Sequence, residues 1–156
     1  MHTKVSDLLA AHDAEAIAFG APGAEFLTYG GLRSLTEEVR SALNSFGVGR
    51  GDRVAIVLPN GPQMAAAFVT IAQVATTAPL NPAYREEEYD FYLGDLKAKA
   101  LVVKEGDDGP AVAAAQKAGI ALIRLSVPEG SAAGYFTLSS DTQGTADTTA
   151  PTADDV

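Results

Sequence analysis

The sequence predicts an α/β fold in which a wound, largely parallel sheet of at least three strands carries flanking helices. Three runs at 53–58, 100–103 and 120–125 are mainly apolar without alternation, as is typical of strands buried on both faces of a parallel sheet. Segments with helical periodicity separate these runs. Because strands that alternate with helices form right-handed crossovers, neighbouring strands are expected to be parallel.

The N-terminal residues predict a hairpin and then an amphipathic helix. Two apolar runs at 16–19 and 26–29 flank a Gly-Ala-Pro-Gly turn at 20–23. The helix that follows has one apolar face, because large apolar residues recur at spacings of three and four, and Gly47 is expected to end it. The residues of this face are Leu32, Leu35, Val39, Leu43 and Phe46.

Three more helices are predicted between and after the first two apolar runs. Asn60 or Gly61 can cap the first, and Pro62 suits its first turn because proline has no N–H to leave unpaired there. The expected buried stripe of this helix comprises Met64, Ala67, Phe68, Ile71 and Ala75. The last of the three helices covers 110–118 and stops at Gly119.

The middle helix follows the Pro-Leu-Asn-Pro sequence at 79–82. Glutamates at 86–88 lie near the positive end of its dipole, and Lys97 and Lys99 lie near the negative end. The expected apolar face comprises Tyr89, Tyr92, Leu93 and Leu96. Together with Asp90 the glutamates could bind a cation, but consecutive helical positions point to different faces, which favours the dipole role.

Composition and charge exclude several functional classes. The 156 residues fit one domain, at roughly 100–200 residues per domain. The net charge of −9 repels phosphates and argues against nucleic acid as a partner. No run approaches the roughly 18 apolar residues that span a membrane, and the start at 1–7 lacks the apolar core of a secretory signal. Because cysteine is also absent, we expect a cytoplasmic protein without a membrane span or disulfides.

The C-terminal part differs in composition from the rest. From Thr137 onward, Leu138 and Val156 are the only large aliphatic residues, so little apolar area offsets the entropy of ordering. We expect an α/β subdomain at 1–128 and a polar, acidic linker at 129–156. Residues of this linker from about 130 onward are expected to be flexible or to make few contacts.

Side chains that could carry catalysis are sparse. His2 and His12 have only Asp13 and Glu15 as acidic neighbours, so we expect ordinary surface histidines. Four serines lack a nearby histidine and a Gly-x-Ser-x-Gly elbow. They are Ser126, Ser131, Ser139 and Ser140. The sequence therefore gives no catalytic, cofactor-binding or metal-binding residue.

A glycine-rich sequence at 47–51 precedes a strand, whereas a dinucleotide-binding loop follows one. We therefore expect a helix-to-strand turn and not a phosphate loop. The Arg50-Gly51-Asp52 tripeptide within it resembles an adhesion motif, a role that such a turn in a cytoplasmic protein disfavours.

Three sequence blocks occur in a specific order and spacing. They are Leu-Thr-Tyr-Gly-Gly-Leu-Arg at 27–33, Gly-Val-Gly-Arg-Gly-Asp-Arg-Val-Ala-Ile-Val-Leu-Pro-Asn at 47–60, and Ala-Pro-Leu-Asn-Pro-Ala-Tyr at 78–84. Over about residues 5–125 the chain resembles the opening of adenylate-forming enzymes, the superfamily of acyl-CoA synthetases, luciferases and peptide-synthetase adenylation domains. The stretches 84–93 and 103–106 are most similar to the oxalate–CoA ligase branch. One departure is Val-Ala-Thr-Thr at 74–77, where the family usually has a glycine.

The resemblance implies a fold that is an incomplete N-terminal portion of the adenylate-forming large domain. It implies a two-step reaction, in which a carboxylate and ATP form an acyl-adenylate and a thiol, usually of coenzyme A, then displaces AMP. ATP, Mg²⁺ and CoA would serve the complete enzyme. The family's phosphate loop, its adenine and ribose contacts and its catalytic lysine should follow the point where this chain stops, and Asp154-Asp155-Val156 resembles the approach to the strand that delivers that loop. No site residue is therefore carried over.

Three hypotheses follow for function. The leading one is an N-terminal part of a carboxylate–CoA ligase, inactive alone, whose partners are the remainder of the large domain and the small C-terminal domain. Uncovered sheet edges would also favour self-association. The alternative is a non-catalytic scaffold or interaction module of the same fold. A stand-alone nucleotide-binding enzyme is disfavoured, because no phosphate-binding glycines follow a strand.

Overall fold

The computed structural model describes residues 4–155, which form five helices and seven strands. The helices are α1 Val5–Ala10, α2 Tyr29–Ser45, α3 Pro62–Ile71, α4 Glu86–Asp95 and α5 Pro110–Ala118. The strands are β1 Ile17–Phe19, β2 Leu27–Thr28, β3 Arg53–Val57, β4 Thr76–Pro79, β5 Ala100–Lys104, β6 Ala121–Ser126 and β7 Thr137–Ser139. Strands β1 and β2 form the predicted hairpin.

The main sheet has the order β4-β3-β5-β6-β7. Its first four strands are parallel, and β7 runs antiparallel to β6 along one edge. The prediction of a wound, largely parallel sheet is therefore confirmed, with two strands more than the three expected. No local pattern predicted β4, because this strand lies at the other edge of the sheet, is half-buried and has no large aliphatic residue.

Two apolar layers cover the two faces of this sheet. Val54 and Ile56 of β3 point toward α2 and α3, whereas Ala55 and Val57 point toward α4 and α5. All of the parallel crossovers can therefore be right-handed while the helices lie on opposite faces. Burial of one large aliphatic side chain in such a layer contributes about 1.5–3 kcal/mol, so the two layers together hold the sheet.

Helix ends and buried faces agree with most of the predictions. Gly47 and Gly119 end α2 and α5 with left-handed φ values of 82° and 68°. The α2 face is buried as predicted from Leu32 to Leu43, and Phe46 packs half-buried against the same core. Pro62 begins α3, and its preceding residue Gly61 is the N-cap.

Two of the predicted faces need correction. The buried face of α3 contains Ala66 and Thr70, whereas Phe68 is 42% exposed. Thr70 can lie inside because its hydroxyl donates to the Ala66 carbonyl within the same helix. In α4, Tyr89 and Leu93 are buried as predicted. Three other residues of that prediction differ. Tyr92 is exposed, and both Lys97 and Lys99 lie beyond the last turn, which ends at Asp95.

The C-terminal segment makes more contacts than its composition indicates. Phe136 is 1% exposed and packs into the core between the sheet and α2, and Ala133 is buried as well. Residues 137–139 form β7 on the edge of β6. The expectation of few contacts from residue 130 onward is therefore wrong for 132–139, because the buried ring of Phe136 packs this otherwise polar stretch against the core.

Candidate functional site

The carboxyl ends of β3 and β5 form the point at which the sheet changes winding direction. From β3 the chain continues through α3 to β4 on one face of the sheet, and from β5 it continues through α5 to β6 on the other. The two connections diverge from adjacent strands and leave a crevice between them. Ligands of wound α/β sheets bind in crevices of this kind.

Two cavities open at this crevice, one of about 590 Å³ and one of about 410 Å³. Four residues line both: Leu58, Pro59, Lys104 and Glu105. The larger cavity also meets the start of α3 at Gly61 and Pro62, and the smaller meets the start of α5 at Gly109 and Pro110. The N-cap glycines of both helices have no side chain to cap with. At the start of α5 the Asp107 carboxylate accepts from the Gly109 N–H at 2.9 Å, so the positive end of the α3 dipole is the one that remains available to an anionic group.

Polar groups around the crevice are mostly engaged with one another. The Ser126 hydroxyl donates to Glu105 at 3.2 Å, and the Tyr89 hydroxyl donates to the Asn81 carbonyl at 2.8 Å. Burial, followed by the nearby charge of Asp107, raises the pKa of Tyr89, which therefore stays protonated at neutral pH. Ser126 and Glu105 lie within hydrogen-bond reach, but among the described residues no third side chain orients Glu105, as an activated nucleophile requires.

Histidines and serines take up structural positions. The His12 ring stacks on Tyr29 with the centroids 4.1 Å apart, and His2 lies outside the described residues. The Ser131 and Ser140 hydroxyls donate to the carbonyls of Pro128 and Leu122, and Ser139 ends β7. Of the described histidine and serine side chains named above as candidates, Ser126 is the one that lies at the crevice.

The acidic cluster of α4 disperses over different partners. The Glu88 carboxylate accepts from the Arg85 backbone N–H at 2.9 Å and so caps the helix start. Asp90 pairs with Lys117 of α5 on another face. Across 4–155, no three His, Asp or Glu side chains come together in a way that could hold a metal ion. The predicted role at the helix dipole is thus the one that the geometry supports.

The glycine-rich sequence at 47–51 forms the predicted helix-to-strand turn. Its Gly49 N–H donates to the Asp52 carboxylate at 2.9 Å, which closes the turn before β3. The Arg50 side chain, part of the adhesion-like tripeptide, pairs with Asp155. Between 4 and 155 no helix is long and apolar enough to cross a membrane.

Lys104 and Glu105 were missed by reasoning from sequence. They follow β5 directly, but only the sheet order places this strand end beside that of β3. A signal was present in the apolar run that precedes them, since carboxyl ends of buried parallel strands are common ligand positions.

Comparison with known proteins gives a family and a fold. A family model described as "AMP-binding enzyme" matches residues 8–156. The chain is 36% identical over 105 residues to a probable CoA ligase of Humulus lupulus, which covers 67% of this chain and 20% of that protein. It is 38% identical over 102 residues to an oxalate–CoA ligase of Arabidopsis thaliana, with 64% and 20% covered. The crystal structure of ATP-bound MatB from Rhodopseudomonas palustris has a TM-score of 0.71 over 92% of this chain and 30% of that one, at 22% identity. The chain thus spans about a fifth of the length of these curated relatives.

Proposed function

Because this chain belongs to the family of AMP-binding enzymes, we propose that it supplies the N-terminal part of an ATP-dependent carboxylate–CoA ligase. Such a ligase joins a carboxylate to the α-phosphate of ATP with release of pyrophosphate. The thiol of CoA then attacks the acyl-adenylate and displaces AMP. Two relatives support this proposal: a probable CoA ligase, 36% identical to this chain, and an oxalate–CoA ligase, 38% identical to it.

The observation that carries this proposal is that nearly the whole chain matches a part of a larger protein in fold. The alignment with the ATP-bound MatB structure includes 92% of this chain but only 30% of MatB. What it supplies is the sheet, its helices and the crevice at the ends of β3 and β5. The remainder of the large domain and the small C-terminal domain would supply the catalytic groups.

ATP, Mg²⁺ and CoA would bind to the complete ligase, and the residues of this chain do not fit them alone. Among the described residues that line the crevice, Lys104 is the one cation, and the charge of the adjacent Glu105 offsets it. Among residues 4–155 no three His, Asp or Glu side chains come together, and Mg²⁺ would take its ligands from the phosphates of ATP with one or two carboxylates of the complete enzyme. No chemical step is therefore assigned to this part of the enzyme.

The surface supports association with the rest of the ligase. Phe26, Phe91 and Ile17 are each more than half exposed, and β4 and β7 present open sheet edges. In the absence of the remainder, the same surfaces favour self-association. The cytoplasm is the proposed location, in keeping with the absence of cysteine.

The experiment is ATP–pyrophosphate exchange with a panel of carboxylates, oxalate first. We expect carboxylate-dependent exchange by the native protein that contains this chain, and none above background by residues 1–156 alone. Exchange by the isolated chain would contradict the proposed dependence on the remainder. Absence of exchange by the native protein with every acid would contradict the ligase assignment and favour the scaffold.

A further inference from the structure

The strap, defined as residues 144–155, runs from the region after β7 along the turn at 47–52. Its docking begins with the backbone. Gly144 N–H donates to the Ser45 carbonyl at 3.2 Å, and Arg50 N–H donates to the Asp147 carbonyl at 3.0 Å. Phe46 and Gly144 also form a parallel bridge. The strap is therefore fixed in register against the start of β3.

Two glycines allow this close approach. A Cβ on Gly49 would lie 2.1 Å from the Asp147 carbonyl oxygen, and one on Gly47 would lie 3.1 Å from the Cα of Gly144. Real Cβ atoms do not come as near to backbone as 2.1 Å, so any side chain at position 49 would move the strap. Gly49 thus has a steric role that its turn conformation does not explain.

An ion pair joins the far end of the strap to the same turn. Arg50 Nε lies 2.9 Å from Asp155 Oδ2, and Arg50 Nη2 lies 3.2 Å from Asp155 Oδ1, which gives two side-by-side hydrogen bonds. The Thr152 N–H also donates to Asp155 Oδ2. A bidentate arginine–carboxylate pair fixes direction as well as distance.

The strap passes over a cavity, so only part of its length can pack against the sheet. This cavity has a volume of about 370 Å³ and lies between Pro151 and Thr152 of the strap and Gln73 and Thr77 near the amino end of β4. With space below it, the middle of the strap gains little from apolar packing. The backbone contacts and the ion pair therefore contribute to its position.

We infer that Arg50 and Asp155 are positioning residues, which fix the place and direction in which the strap ends beside the start of β3. The pair joins residues 105 positions apart and lies where the chain passes beyond Asp155. This inference rests on the proposed function in one respect, namely that the residues that follow belong to the rest of the ligase. The pair then sets where that part begins relative to the crevice.

Hydrogen exchange on the 156-residue chain tests the contact itself. We expect Arg50→Ala to speed exchange of the Gly144 and Thr152 amides by roughly three- to five-fold, as befits an exposed pair, with no change in β5. The charge-swapped double variant, Arg50→Asp with Asp155→Arg, should restore protection of the Gly144 amide, whereas the Thr152 amide stays fast because its acceptor is the Asp155 carboxylate. Lys117→Gln breaks another exposed pair far from the strap and should leave these amides unchanged.

Three results would refute this role of the ion pair: unchanged strap amides in Arg50→Ala, acceleration in β5 to the same extent, or no recovery of the Gly144 amide in the charge-swapped double variant. In the native ligase we expect Arg50→Ala to lower kcat several-fold while KM for the acid stays within about two-fold, since misplacement costs orientation more than binding. The double variant Arg50→Asp with Asp155→Arg should recover kcat.

The activity results separate the inference from the proposed function. An unchanged kcat in Arg50→Ala, with the strap amides accelerated, would refute the positioning role and leave the ligase assignment intact. A native protein without ligase activity would refute both the proposed function and the positioning role, while the exchange data would still decide whether the ion pair holds the strap.

Discussion

The wound sheet at 53–126 and the strap at 144–155 are held in place by different forces. Buried aliphatic side chains cover both faces of the sheet and exclude water from it. The strap is held by backbone contacts at Gly49 and by the pair of Arg50 with Asp155, each about 30% exposed. Apolar burial resists pH and salt, whereas exposed charge pairs respond to both. The two regions should therefore be separable by experiment.

Phe136 belongs to the apolar layer that covers the sheet. Among single substitutions, its replacement should lower the free energy of unfolding the most. Because its ring is 1% exposed, Phe136→Ala removes buried area and leaves a cavity, which costs about 3–5 kcal/mol of unfolding free energy. Phe91→Ala is the matched control, because its ring is 65% exposed and its loss should cost less than about 0.5 kcal/mol. Urea unfolding measures both. Equal effects would mean that residues 129–139 are not part of the core.

Gly49→Ala should disturb the strap more than the sheet. The new methyl group would collide with the Asp147 carbonyl, and relief of this overlap costs about 1–3 kcal/mol or displaces the strap. We expect the residue-50 amide to lose its protection from hydrogen exchange while β5 keeps it. Gly94→Ala is the control, since a Cβ there meets nothing within 4 Å. Retained protection in Gly49→Ala would argue that the strap does not lie this close.

Acid should release the strap before the sheet unfolds. The Thr152 N–H and then Arg50 hold the pKa of Asp155 below its ordinary value, and Thr149 does the same for Asp147. A carboxyl whose pKa is lowered in the folded state stabilises it above pH about 4 and loses this contribution as the pH falls further.

The pH experiment follows amide resonances of the strap and of β5 by NMR from about pH 6 downward. Charged groups near Asp155 include Arg50, Asp147, Lys4 and Arg40. Strap resonances should move first, toward disordered positions. Simultaneous loss of strap and sheet would show that the two regions are one cooperative unit.

Salt should give the smallest effect. At 1 M ionic strength the Debye length is about 3 Å, so attraction between Arg50 and Asp155 is weakened while the apolar layers are not. We expect slightly faster exchange of the Thr152 amide and unchanged exchange in β5. Slower exchange of the Thr152 amide at high salt would indicate that apolar packing, and not charge, holds the strap.

Sequence patterns predicted well the elements whose formation depends on buried apolar residues or on local signals at helix ends. The runs before Leu58 and after Lys99 predicted β3 and β5, Pro110 and Gly119 predicted both ends of α5, and the three blocks indicated the family that the comparison confirms. These signals are local or repeat along the chain, so they can be read without the fold.

The parts that escaped prediction depend on contacts across the chain. The Arg50–Asp155 pair and the docking of Gly49 join distant residues of polar composition, which produce no periodicity. The crevice at Lys104 and Glu105 needs the order β4-β3-β5, which no local pattern contains. The inward turn of Thr70 in α3 depends on a hydroxyl bonding within its own helix.

The most direct test of the proposed function is complementation between two pieces of the native protein. Residues 1–156 are co-expressed with the rest of that protein, and AMP formation is measured with ATP, CoA and oxalate or another acid that supports the intact enzyme. We predict AMP formation only when both pieces are present, in a complex whose mass by light scattering equals their sum. Formation of AMP by residues 1–156 alone, or by the remainder alone at the full rate, would contradict the assignment of this chain as a required, non-catalytic part of the ligase.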